Sequence, residues 1–234
     1  MSNKIKSPNE KSHGFLIALI SVLVIIAGVI TYIVMTSSSS EVAHRDREAV
    51  NMDIAVGDND ITLQKNPKED ALEASLYEDY SCPHCGELAE QTDGDMKKKI
   101  ESGDLILHIH PLNFLDRGNT SGNSTLAGAA ALAIAQSGDA ELYWNYRAML
   151  MAEQSDIYQA RWNDQKFADA AEGFDAPSDV VKAIKNGDQH DAMLDFASGN
   201  ADYLNENTGK VSSPRVLVDG ADMELSDWVA KLKN

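Results

Sequence analysis

The stretch Tyr77-Glu78-Asp79-Tyr80-Ser81-Cys82-Pro83-His84-Cys85 decides the reading of this chain, because a β-prone run enters it and a helical run leaves it. Residues 72–77 read as a strand, and from Pro83 to about residue 100 the composition is helical, ending near Ser102-Gly103. Residues 105–110 (LILHIH) then alternate as a strand does, before Pro111 stops the run. Strand, helix and strand in that order predict a parallel pair with a right-handed crossover.

The spacing of the two cysteines takes its chemical meaning from that position. Pro83 suits the first helical residue, where its missing N–H would be unpaired anyway, and this makes Cys82 the cap. A Cys82 thiolate there can accept backbone N–H bonds from His84 or Cys85 and sit at the positive end of the helix, so its pKa should fall. An imidazolium at His84 would add to the effect and make the disulfide form an avid oxidant. Cys85, inside the first turn, is expected to be the more buried partner sulfur.

Cys82 and Cys85 are the only cysteines, so the chain has no disulfide framework and the pair is there for chemistry or for metal. A zinc site needs four ligands, and no second cysteine pair exists. His108 and His110 point to one strand face and are the residues that could complete a two-cysteine, two-histidine set; the other reading makes them partly buried strand residues with no catalytic task.

Farther out, residues 126–136, 141–154, 158–172, 178–185 and 188–205 read as helices broken by Gly138, Gly173, Pro177 and Gly187. Strand character returns at 215–218 and 223–225, with Asp219-Gly220 as a two-residue hairpin signal between them and Ser226 placed to cap a last helix. Upstream, 52–56 and 60–63 suggest an opening hairpin around Gly57-Asp58-Asn59. The expected fold is an α/β domain over 51–234 with a helical insertion at 119–208.

Residues 14–35 carry no charge and would extend about 33 Å as a helix, enough to cross a bilayer. Lys4, Lys6 and Lys11 precede them, which predicts a cytoplasmic tail at 1–13, a transmembrane anchor at 14–35 and the remainder outside. A cleavable signal peptide is the rival reading, although no A-x-A-like site follows. Polar residues 36–50 read as a linker. The formal net charge of -17, with no basic cluster, argues against nucleic acid as a partner.

Taken with HPLNFLD at 110–116 and SSPRVLVDG at 212–220, the cysteine motif resembles the DsbA-like branch of the thioredoxin superfamily. The pattern is similar to membrane-anchored actinobacterial oxidoreductases of the MdbA type, from about residue 52 to the C-terminus. The resemblance implies a thioredoxin-like fold in which Pro214 is a cis-proline facing the cysteines and Ser213 offers backbone to an extended substrate segment. It also implies an enzyme without cofactor that oxidises unfolded exported polypeptides and is itself reoxidised by a membrane partner of DsbB or vitamin K epoxide reductase type.

Two positions depart from that pattern. Many relatives carry a buried carboxylate six residues before the first cysteine, where this chain has Leu76, so proton transfer at Cys85 would fall to water or to Glu78. On strand alternation at most one of Glu78 and Asp79 faces inward. Arg215, directly after the proline, would favour an acidic substrate segment or pair with a nearby carboxylate. Rival functions are a reductase or isomerase on the same fold, for example in cytochrome maturation, against which Pro-His between the cysteines argues, and a tethered binding or chaperone module.

Overall fold

The computed structural model describes residues 17, 19–24, 26 and 44–233. The chain divides into two compact units, 1–41 and 42–234. In the first, Ile17, Leu19 to Val24 and Ile26 are helical and exposed. The tail at 1–13, most of the expected span at 14–35 and the first part of the expected linker, 36–43, lie outside the described residues. No helix among the described residues is long and apolar enough to cross a membrane.

The second unit is built on one six-stranded sheet. Its strands are β1 (Asp53–Val56), β2 (Ile61–Gln64), β3 (Leu72–Glu78), β4 (Leu105–Pro111), β5 (Arg215–Val218) and β6 (Ala221–Met223), in the order β1-β2-β4-β3-β5-β6. The β3–β4 pair is parallel, running from Leu72 opposite Leu105 to Glu78 opposite Pro111, and the other neighbours are antiparallel. The crossover is α1 (Pro83–Glu101), whose Leu88, Met96 and Ile100 join the core that Leu76, Leu107, Ile109 and Val216 contribute from the sheet. The hairpin signal at Asp219-Gly220 is realised, with φ of 51° and 77°, the two positive values that a tight primed turn requires.

Helices α2 (Asn123–Ala135), α3 (Ala140–Ala152), α4 (Gln154–Tyr158), α5 (Asp164–Gly173), α6 (Ser178–Asn186) and α7 (His190–Thr208) form the insertion, and α8 (Leu225–Lys233) closes the chain. The alanine-rich α2 is buried on nearly every side, which suits a helix apolar all round. The helix expected over 158–172 is broken. Ala160 takes φ 57°, and Asn163 caps α5 by accepting the Lys166 N–H at 2.9 Å, while Trp162 turns into the core against Phe167. Ser226 is not a cap either. It lies inside α8, whose early amides at Asp227 and Trp228 bond the Glu224 carbonyl.

Part of the expected linker belongs to the folded body. Arg45 N–H bonds the Gly173 carbonyl at 2.6 Å, the Arg47 side chain reaches the Phe174 carbonyl and Asp139, and Glu48 exchanges two bonds with Asn145. The polarity that suggested a spacer reflects these partners.

Glu78 and Asp79 are both buried, against the expectation from alternation, because β3 ends at Glu78 and the chain turns under the motif. Glu78 receives two bonds from Arg147 on α3, at 2.8 and 2.6 Å, and Arg147 gives a third to Asp93 on α1 at 2.9 Å. Sheet, crossover helix and insertion meet in this triad, whose Glu78 and Arg147 are buried and whose Asp93 lies at its half-buried edge. Removing one member strands unpaired charge in the core. Arg147→Met is expected to lower the stability by about 3–5 kcal/mol in urea denaturation; a loss under about 1 kcal/mol would mean the triad is replaceable.

Candidate active site

Cys82 caps α1 with extended backbone (φ -86°, ψ 119°), Pro83 takes the first helical position, and the Cys82 carbonyl accepts the Cys85 amide at 3.0 Å. The turn beneath is held from both sides. Cys82 N–H bonds the Asp79 carbonyl at 2.8 Å, and Gln154 at the start of α4 donates to the Ser81 carbonyl at 2.7 Å. Gly86 allows this closeness, since a Cβ there would stand 2.9 Å from the Met151 carbonyl. Neither Gln154 nor Gly86 was singled out in the sequence, because their roles depend on which insert helix lies alongside.

Both cysteines are free thiols and both are buried, yet their ionisation differs sharply. The Cys82 thiol is drawn down to about 5, first by a hydrogen bond from Cys85, against the resistance of burial, and then by Ser213 and the backbone amides of Cys85 and His84. Cys85 is pushed well above the usual thiol range, by burial first and then by its bond to Cys82 and the charge there. One sulfur is therefore the anion and the other its proton donor. In the protonated state the Cys82 thiol points at the Ser213 carbonyl at 3.5 Å. The Ser213 hydroxyl is buried without a hydrogen-bond partner and so is free to turn toward the sulfurs.

His84 plays a smaller part than its position suggests. Its exposed imidazole is 3.0 Å from the Glu87 carboxylate, which raises its pKa ahead of any influence from Cys82. It adds positive field near the motif, while hydrogen bonds do most to hold the Cys82 thiolate.

The Ser213–Pro214 peptide bond is cis, and residues 211–215 are half-buried beside Cys82. Arg215 is tied to Asp222 on the neighbouring strand, with Nε donating to Oδ1 at 2.9 Å, and to Ser212, so it is spoken for within the protein. A cleft lined by His84, Leu88, Gln91, Leu225 and Val229 opens between α1 and α8.

The histidines of β4 are not brought to the cysteines. His108 bonds Asp60 at 2.8 Å and Thr62 at 3.0 Å, and His110 stacks on Tyr77 with ring centres 4.4 Å apart while bonding Asn200. Among the described residues no group of three or more His, Cys, Asp or Glu side chains is placed to hold a metal ion. Glu78 accepts from Arg147 on both oxygens, and burial pushes its carboxyl above the usual range against the pull of that guanidinium. Leu76 is packed in the core between Ile109 and Val216 of the adjoining strands.

The thioredoxin family model matches residues 68–233. Among solved structures, the MdbA protein of Corynebacterium diphtheriae, a thiol-disulfide oxidoreductase, is 47% identical with a TM-score of 0.79, over 83% of this chain and 100% of that one. The MdbA protein of Corynebacterium matruchotii, also a thiol-disulfide oxidoreductase, is 37% identical with a TM-score of 0.75, over 79% and 93%. DsbA of Mycobacterium tuberculosis in its reduced form, at 20% identity and a TM-score of 0.58 over 75% and 91%, shares the fold. No curated protein matches.

If the Cys85 thiol is the main support of the Cys82 anion, Cys85→Ala must raise the Cys82 pKa. Titration of thiolate absorbance near 240 nm should place the variant's midpoint above that of the intact protein, toward the ordinary thiol value of about 8.5. An unmoved midpoint would assign the effect to Ser213 and the helix end.

Proposed function

The chain belongs to the thioredoxin family and is a protein disulfide oxidoreductase, and from that premise we propose that it works as a dithiol oxidase, introducing disulfides into exported proteins outside the cytoplasm. The direction rests on where the two sulfurs sit: Cys82 caps the start of α1, which with its neighbours draws its thiol down to about 5, and Cys85 is buried in the first turn, which pushes its thiol far above that. A reduced state that holds a stable thiolate is favoured over the disulfide state, so the disulfide is readily given away.

In the first step a substrate thiolate attacks the Cys82 sulfur of the Cys82–Cys85 disulfide. A bond forms between substrate and Cys82, and Cys85 departs with the electron pair. A second substrate thiolate then attacks the substrate sulfur of that mixed disulfide and expels Cys82 as its thiolate. The substrate gives up two electrons and leaves with a disulfide; the enzyme holds them as a dithiol. Residues 211–215, half-buried beside Cys82, are where an extended substrate segment would lie, with the backbone of Ser213 as its partner. The apolar segment at 14–35 would keep the domain at the membrane, near a quinone-linked reoxidase of DsbB or vitamin K epoxide reductase type that returns Cys82 and Cys85 to the disulfide.

Equilibration against glutathione tests the direction. An oxidase should show a potential more oxidising than about -180 mV, whereas a value below about -230 mV would make the protein a reductase. Stability supplies a second check. The Cys82 pKa is depressed on folding, so the stabilisation of the reduced protein is fully present above the unfolded thiol value of about 8.5 and is lost as pH falls through about 5. The disulfide form lacks this group. The melting temperature of the reduced protein relative to the oxidised one should therefore be higher at pH 7.5 than at pH 4.5, and a pH-independent difference would contradict the assignment.

A further inference from the structure

A groove of about 680 Å³ runs between α1 and α3 and begins at Pro83, the neighbour of the reacting sulfur. Glu87 stands on the ridge between it and the cleft toward α8. The α3 wall is apolar, made by Ala148, Met151 and Ala152. On the α1 side the helix is thin at Gly86 and Ala89, and at Gly94 a Cβ would meet nothing within 4 Å, so the far end is open.

The charge of this groove is one-sided. Glu87, Glu90 and Asp93 line it at three-residue steps, which puts them on one face of α1, and no lysine, arginine or histidine lines it. Glu87 bonds only the exposed His84 at the mouth. The Glu90 side chain is exposed and, among the described residues, has no hydrogen bond or ion pair. Asp93 gives Oδ2 to Arg147 at 2.9 Å, while its Oδ1 is buried without a partner. A buried acceptor left unpaired costs free energy that a donor entering the groove would recover. Successive carboxylates are about 4.5 Å apart along the axis, a rail rather than a cluster converging on one point. Among the described residues no group is placed to hold a metal ion.

A rail suits a chain. A polypeptide joined to Cys82 through its own cysteine has to run on past the sulfur, and the groove begins there. Glu87, Glu90 and Asp93 lie about 7, 12 and 16 Å along α1 from Cys82, distances an extended chain covers in about two, four and five residues. The second and fourth residues of an extended chain project to the same side. A lysine or arginine at those places can lay its methylenes on the α3 wall and carry its cation to the carboxylates.

We infer that the groove between α1 and α3 is a substrate subsite, which selects polypeptide segments carrying lysine or arginine two to five residues from the cysteine that reacts with Cys82. This deepens the proposed function and rests on the disulfide chemistry assigned there to Cys82.

Short peptides whose central cysteine carries thionitrobenzoate test the subsite. The Cys82 thiolate of the reduced protein attacks the peptide sulfur, the bond between that sulfur and thionitrobenzoate breaks, and thionitrobenzoate leaves as a coloured thiolate that reports the rate. Lysines stand at the second and fourth residues either after the cysteine or before it, with glutamates in the same places for comparison. One lysine placement should react at least about 5-fold faster than both its mirror image and its glutamate counterpart, and the advantage should shrink in high salt. Glu90→Lys should cut the advantage below about 2-fold. Asp58→Lys, the same change of charge in the β1–β2 turn outside the groove, should keep it. Both positions are exposed, so both variants are expected to fold. Equal rates for the mirror peptides, or an advantage that Glu90→Lys leaves intact, would overturn the inference. Absence of thionitrobenzoate release from every peptide would overturn the chemistry of Cys82 itself, so the two failures are told apart.

Discussion

The unequal ionisation of two neighbouring buried sulfurs governs the chemistry of this protein. Cys85, buried in the first turn of α1, keeps its proton and offers it to Cys82, so the charge settles on the outer sulfur. The helix end assists through the amides of His84 and Cys85, in the way that helix N-termini favour anions generally. The arrangement stabilises the dithiol at the disulfide's expense, which is the property a disulfide donor needs.

The rest of the structure keeps those sulfurs in register. The turn that carries them leaves the end of β3, and it would be free to rotate were it not fixed from the insertion. Gln154 fixes it at Ser81, Gly86 lets the first turn of α1 meet the backbone of α3, and the Glu78–Arg147–Asp93 triad locks β3, α1 and α3 together below. The insertion is thus the wall against which the reactive turn is set.

Much of the frame was legible in the sequence because it depends on local rules. Strand alternation, the Pro83 helix start and the Asp219-Gly220 turn are written in neighbouring residues, and the structure places them within a few residues of expectation. Readings failed where distant partners decide. Asp79 is invisible to alternation because the strand has already ended, and Glu78 is occupied by an arginine 69 residues away. Composition favoured one helix across 158–172, but a buried Trp162 and the Asn163 cap divide it. Arg47 looked like part of a spacer until Phe174 and Asp139 were found beneath it. His84 has the residue type to polarise Cys82, yet Glu87 claims it first.

The account stands on the Cys82 sulfur being an anion at neutral pH while Cys85 is not. The most direct test is the pH dependence of alkylation of the reduced protein, with the modified cysteine identified by mass. Modification should fall on Cys82 with a rate that follows a midpoint near 5, leaving Cys85 untouched to pH 8. A rate that climbs only above about pH 8, as for an ordinary thiol, or label shared equally between the two sulfurs, would contradict it.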